Sequence, residues 1–199
     1  MRRFRVAVVH GVNLDQLGRR DPGHYGGGTF RDLERQIADY AGELQLVPRF
    51  FQTNHEGALV EYLHRAEGLV DGIVINPGAW THYAWAIRDA LELAGVPAVE
   101  VHLSDVSKRE PWRHHSVISA LCVATITGKG PAGYREALEL LRDELRARAP
   151  EPEPAPEPVP APAPAATAEP ADEPVASTTD DDGDSVEQPE PSREEEAAS

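Results

Sequence analysis

The sequence predicts an α/β fold: a parallel sheet of five strands, doubly wound, with helices on both faces. Three observations predict it. Short β-branched runs alternate with longer stretches whose apolar residues recur every three or four positions, the patterns of buried strands and one-sided helices. The stretches between strands are long enough for helical crossovers, which parallel pairing requires. The polar and titratable residues gather just after the strands, at the carboxyl edge where such sheets bind ligands.

Taken in order, Phe4-Arg5-Val6-Ala7-Val8-Val9 reads as a buried strand. A glycine-rich loop follows from His10 to Gly28, longer than the usual strand-to-helix connection, with Gly26-Gly27-Gly28 as a hinge for a lid. Thr29 is the expected N-cap of a helix whose buried face carries Phe30, Leu33, Ile37, Tyr40, Ala41 and Leu44. Val47 to Gln52 is a second strand, with Pro48 near its start, where a missing N–H costs least. Asn54 is expected to cap a helix from about His55 to Glu67. Gly72-Ile73-Val74-Ile75 is a third strand, closed by Asn76-Pro77-Gly78, and a helix is expected from about Trp80 to Ala94. Ala98 to His102 is the fourth strand, Leu103 to His115 a polar loop and residues 121–127 the fifth strand. Pro131 opens a last helix to about Arg148. The expected architecture is flavodoxin-like.

Composition divides the 199 residues in two. Residues 150–199 hold 15 of the 34 acidic side chains, one of the 19 basic ones (Arg193) and 12 of the 18 prolines. All aromatic residues, every His and the single Cys lie before them. Residues 1–149 therefore form a near-neutral body long enough to bury a core, the expected flavodoxin-like domain. Residues 150–199 are expected to be a disordered, acidic Pro/Ala/Glu-rich tail with nothing to bury. From Pro150 to Pro164 every second residue is proline, which favours an extended polyproline II spacer. The tail either keeps an oligomer soluble or tethers a basic partner.

The same arithmetic excludes several classes. A near-neutral body with an acidic tail offers no basic face for nucleic acid. One cysteine, Cys122, makes neither an internal disulfide nor a Cys-rich zinc site and fits a cytoplasmic location. The longest weakly polar run, Val117 to Thr127, is too short to span a membrane. The apolar run Val6 to Val9 is too short for a signal peptide.

Among chemical constellations, Gly26-Gly27-Gly28 has neither spacing of a phosphate cradle and lies well past the strand end. His114-His115 point apart on any regular element and no carboxylate pair accompanies them, so no metal site is expected. Imine chemistry would need a desolvated lysine, and the only two, Lys108 and Lys129, lie outside the apolar strands. Glu100 and His102 are more informative. Two residues apart on a strand, they share a face, so the carboxylate can orient the imidazole and favour its protonated form. That arrangement suits a general acid, and equally a structural ion pair at a strand end. Tyr25, with Arg19 and Arg20 shortly before it, is either a loop anchor or a base whose phenolate a nearby cation favours.

Five ordered blocks carry a resemblance to a known family. They are Gly11-Val12-Asn13-Leu14 with Leu17 to Pro22 and Tyr25-Gly26; Gln52-Thr53-Asn54-His55-Glu56-Gly57; Ile75-Asn76-Pro77-Gly78-Ala79 with Thr81-His82; Glu100-Val101-His102-Leu103-Ser104; and Arg109 to Ser116. Together, over residues 4–145, the chain resembles the type II 3-dehydroquinate dehydratases. The departures are His10 where the family usually has Asn, Val12 for its Pro, Asp15 for a frequent Asn, and Tyr83-Ala84-Trp85 after His82.

The resemblance implies a hydro-lyase that converts 3-dehydroquinate to 3-dehydroshikimate by trans elimination of water, in the shikimate pathway to chorismate and the aromatic amino acids, with no cofactor. It implies Tyr25 as base, Arg20 as the cation beside it, Asn13 as enolate stabiliser and His102, oriented by Glu100, as the acid. Asn76, His82 and Arg113 would bind ring hydroxyls, and the backbone N–H groups of Leu103 and Ser104 the carboxylate. Asp89 would come from a neighbouring subunit in a homododecamer, a tetramer of trimers. Two other readings stay open: the same mechanism on another cyclic hydroxyketone, admitted by Tyr83-Ala84-Trp85, and a non-catalytic binding or assembly protein.

Overall fold

In the computed structural model the described residues are 2–25 and 27–149, with His24 and Tyr25 described by their backbone alone. The chain divides into units over residues 1–153 and 154–199, and all the described residues lie in the first. The expected disordered tail, and Gly26 of the expected hinge, lie outside the described residues.

The sheet contains β1 (Arg5–His10), β2 (Val47–Gln52), β3 (Gly72–Asn76), β4 (Ala98–His102) and β5 (Ala124–Thr127). Its order is β2-β1-β3-β4-β5 and every pairing is parallel, the flavodoxin-like order. The helices are α1 (Pro22–Tyr25), α2 (Phe30–Glu43), α3 (Glu56–His64), α4 (Trp85–Leu93) and α5 (Ala132–Arg148). Period-two alternation divides the core. Val6 and Val8 of β1 join Leu33 and Ile37 of α2 and Leu138 and Leu141 of α5 on one face. Ala7 and Val9 join Leu59 and Leu63 of α3 and Ile87 and Leu91 of α4 on the other. Strands buried on both faces explain the unbroken apolar runs in the sequence.

Local chemistry sets the ends of the elements. Thr29 caps α2 as expected: its hydroxyl accepts from Asp32 N, and the Asp32 carboxylate accepts from Thr29 N, an arrangement worth about 1 kcal/mol. Pro48 is tolerated because β2 is an edge strand. Several boundaries differ from those expected. β1 runs on to His10, which is fully buried, and the loop after it contains a 3₁₀ turn over Leu14–Arg19 and the short α1. Asn54 does not cap α3. His55 occupies the N-cap position, while Asn54 Oδ1 accepts from the Asn13 backbone N–H at 2.7 Å. The helix expected over Trp80–Ala94 is a 3₁₀ turn over Gly78–His82 followed by α4, because Tyr83 leaves helical geometry at φ −154°. β5 begins only at Ala124, after a 3₁₀ turn over Ser119–Leu121.

Candidate active site

The carboxyl ends of β1, β3 and β4 open on one cavity of about 100 Å³. Its wall includes Asn13, Arg20, Asn76, His82, His102, Leu103, Ser104 and Arg113. Eight of the eleven residues singled out for the site thus meet around one space, although up to a hundred positions separate them in sequence. Glu100 lies directly behind His102. Asp89 is exposed on α4 and does not line this cavity. The side chain of Tyr25 lies outside the described residues.

Close approach of two loops builds the floor. A Cβ on Gly11 would come within 2.2 Å of the Pro77 carbonyl oxygen, so only glycine lets the turn after β1 meet the turn after β3. Asn13 sits in the left-handed region at φ 64°, which asparagine tolerates better than most residues. The Asn54 hydrogen bond to its N–H holds it there. At the end of β4, the carbonyls of His102 and Ser104 accept from Gly128 N, and that of Leu103 from Gly130 N. These bonds pin the backbone of residues 102–104 against the cavity.

The pair predicted from the strand period is formed. His102 Nε2 lies 2.8 Å from Glu100 Oε1. Glu100 is fully buried and collects further donors: Thr81 Oγ1, Ser116 Oγ at 3.0 and 2.9 Å to its two oxygens, and Thr125 Oγ1 at 3.2 Å. Burial alone would push this carboxyl up. The hydrogen bonds from His102, Thr81 and Ser116, together with the His102 charge, prevail and hold it below the usual carboxylate range. Glu100 is therefore ionised at neutral pH and fixes His102 through Nε2, which leaves Nδ1 for a ligand. Ser116 is itself held by the N–H groups of Ile118 and Ser119.

Two cationic side chains, Arg20 and Arg113, share the wall with neutral polar groups, so the cavity suits an anionic ligand. Arg113 donates through Nε to Glu110 at 2.8 Å and lies 4.0 Å over the Trp112 ring, which orients its fork. His82 Nδ1 bonds the His115 carbonyl at 2.7 Å. Burial, with the nearby His102 and Arg113, lowers the His82 pKa despite that bond. Asn76 is held on both sides: Gly78 N donates to its Oδ1 at 3.2 Å, and its Nδ2 donates to the Tyr134 hydroxyl at 3.1 Å.

Sequence reasoning did not assign roles to Ser116, Thr125 or Tyr134. Tyr134 falls on the apolar face of α5 and reads as core. Ser116 closes the Arg109–Ser116 block, and its place beside the histidines was the one signal available. The buried His10 ring meets Phe30 edge-on at 5.0 Å and lies 5.6 Å from Tyr134. Desolvation lowers its pKa to about 3, so it is neutral.

A doubly wound sheet with a buried carboxylate–imidazole pair at its carboxyl edge defines an α/β protein equipped for proton transfer. Comparison with known proteins narrows this class. The family model for dehydroquinase class II matches residues 4–142. The 3-dehydroquinate dehydratase 2 of Pseudomonas putida is 50% identical over 144 residues, which cover 72% of this chain and 97% of that relative. The 3-dehydroquinate dehydratase of Bacillus pumilus is 47% identical over 137 residues, 69% of this chain and 93% of that protein. The crystal structure of type II dehydroquinase from Propionibacterium acnes is similar with a TM-score of 0.67 at 42% identity, covering 70% of this chain and 96% of that one. The chain belongs to the class II dehydroquinase family.

Proposed function

We propose that the protein is a hydro-lyase that removes water from 3-dehydroquinate to give 3-dehydroshikimate, a step of the shikimate pathway. The observation that carries the mechanism is the buried Glu100–His102 pair facing a cavity that also holds Asn13, Arg20, Asn76 and Arg113. In this reading Tyr25, as phenolate, takes the C2 proton next to the ketone, and the Arg20 guanidinium favours that phenolate. Asn13, through an ordered water, stabilises the enolate oxygen that develops at C3. The enolate then collapses, C1=C2 forms and the C1 hydroxyl leaves as water with the proton supplied by His102. Glu100 keeps the imidazole oriented and compensates its charge. Asn76, His82 and Arg113 hold ring hydroxyls, and the N–H groups of Leu103 and Ser104 hold the substrate carboxylate. Every bond change is accounted for by protons, so the residues need no metal or organic cofactor.

The competing substrate reading rested on Tyr83-Ala84-Trp85. Tyr83 and Trp85 are 57% and 60% exposed and neither lines the cavity of its own chain, so these aromatics lie on the surface. With Leu93, 70% exposed on the same helix, they support an interface between subunits. The exposed Asp89 of α4 would then reach a neighbour's cavity, in keeping with a homododecamer built as a tetramer of trimers. A purely binding or assembly role would not need Arg20, Tyr25, Glu100 and His102 together. Among the described residues no helix is long and apolar enough to cross a membrane, which agrees with a cytoplasmic enzyme. We read residues 1–149 as the catalytic domain and the acidic, proline-rich residues 150–199 as outside the chemistry. The latter either solubilise the oligomer or tether a basic partner.

Separate base and acid roles are tested with His102→Ala. The variant is expected to lose dehydration while still exchanging the C2 proton of 3-dehydroquinate with deuterated solvent. Loss of exchange in step with dehydration would show that one group serves both steps.

A further inference from the structure

The Asn76 carboxamide has a definite orientation. Gly78 N–H can only donate, so the atom facing it is Oδ1, and the atom facing the Tyr134 hydroxyl is Nδ2. One Nδ2 hydrogen is taken by Tyr134 and the second remains for a ligand. His82 is fixed by similar logic: the His115 carbonyl can only accept, so Nδ1 carries the proton and, in the neutral ring, Nε2 is an acceptor. Tyr134 is fully buried on α5, 58 positions from Asn76 in sequence, and does not line the cavity. The neutral His10 ring lies 5.6 Å from it and meets Phe30 edge-on.

We propose that Tyr134 is a positioning residue for substrate recognition: from behind the cavity wall it fixes the Asn76 carboxamide so that the ligand meets an N–H donor there, alongside an acceptor nitrogen on His82. A ring bearing free hydroxyls satisfies both, because each hydroxyl donates and accepts. An ether supplies only an acceptor, and a deoxy carbon supplies neither. The proposal therefore makes Tyr134 a determinant of selectivity for hydroxylated rings, and it rests on the cavity being the dehydroquinate site.

Tyr134→Phe keeps the ring and removes the acceptor. In the full-length protein it is expected to raise KM for 3-dehydroquinate about tenfold, the effect of one unpaired buried donor, with kcat changed much less. It should also reduce discrimination against an analogue that lacks a secondary ring hydroxyl. The decisive readout is the same change in an Asn76→Ala background, where Tyr134→Phe is expected to have no further effect on KM. An unchanged KM in the first background, or an undiminished effect in the second, overturns the proposal. Should Tyr134→Phe not fold, a fluorotyrosine at position 134, whose oxygen is a weaker acceptor, serves the same comparison. If the wild-type protein does not convert 3-dehydroquinate, the reaction reading fails separately. Tyr134 is then judged on quinate binding by calorimetry, which should weaken on Tyr134→Phe only while Asn76 is present; no binding of quinate to the wild type overturns both.

Discussion

Glu100 has five hydrogen-bond contacts, from His102, Thr81, Ser116 and Thr125, in a site with no access to water. A buried carboxylate persists only with such compensation. Its pairing with His102 was legible because residues two apart on a strand share a face. The contribution of Ser116 was not, because a loop of irregular structure carries it back over the strand end. Ser116→Ala removes the hydroxyl that meets both carboxylate oxygens. It is expected to lower kcat about tenfold, since a hydrogen bond to a charged group is worth about 1.5–3 kcal/mol, and steady-state kinetics at a kcat equal to wild type would show that the cradle is redundant. Tyr25→Phe is expected to cost about 10²–10⁴-fold in kcat, the usual contribution of a general base, while substrate still binds. A variant that retains more than a few per cent of the wild-type rate would remove Tyr25 from the base role.

At the level of elements, the strands and the long helices follow from hydrophobic period alone, whereas their ends depend on contacts distant in sequence. Asn54 shows why. Its residue type and position suit a helix cap, yet its carbonyl oxygen serves the Asn13 N–H of another loop. Tyr83 breaks the helix expected after β3 and separates the cavity-lining turn Gly78–His82 from α4. β1 carries the most testable consequence. His10 is buried with both ring nitrogens unpaired among the described residues and has a pKa of about 3 against 6.5 when solvated. The unfolded chain therefore binds a proton between these values and the folded chain does not. The stability that His10 permits is complete above pH 6.5 and falls as the pH drops toward 3, by up to about 1.4 kcal/mol per unit. His10→Asn removes this titration. Urea midpoints measured at pH 7 and pH 5 should fall less in the variant than in the wild type. Equal falls would mean that the buried imidazole does not titrate in this way.

The whole molecule separates charge from chemistry. Nearly all of the net charge of −15 lies in residues 150–199, while every residue assigned to the site or its support lies before position 135. Deleting residues 150–199 is therefore expected to leave kcat and the assembly state unchanged in kinetic and light-scattering measurements; lost activity would show that the tail contributes to the body. The sheet order follows from alternating strand and helix patterns. The convergence of Asn13, Asn76 and His102 follows in turn, because a parallel doubly wound sheet places all its strand ends on one rim. The exposure of Tyr83, Trp85 and Leu93 was less legible, since it shows only once the chain around α4 is placed. The most direct test of the account is to give the purified full-length protein 3-dehydroquinate and follow the absorbance of the conjugated enone. The account predicts steady formation of 3-dehydroshikimate by the wild type and formation about a hundredfold or more slower by Tyr25→Phe. A folded wild-type protein that binds the substrate and forms no enone would contradict it.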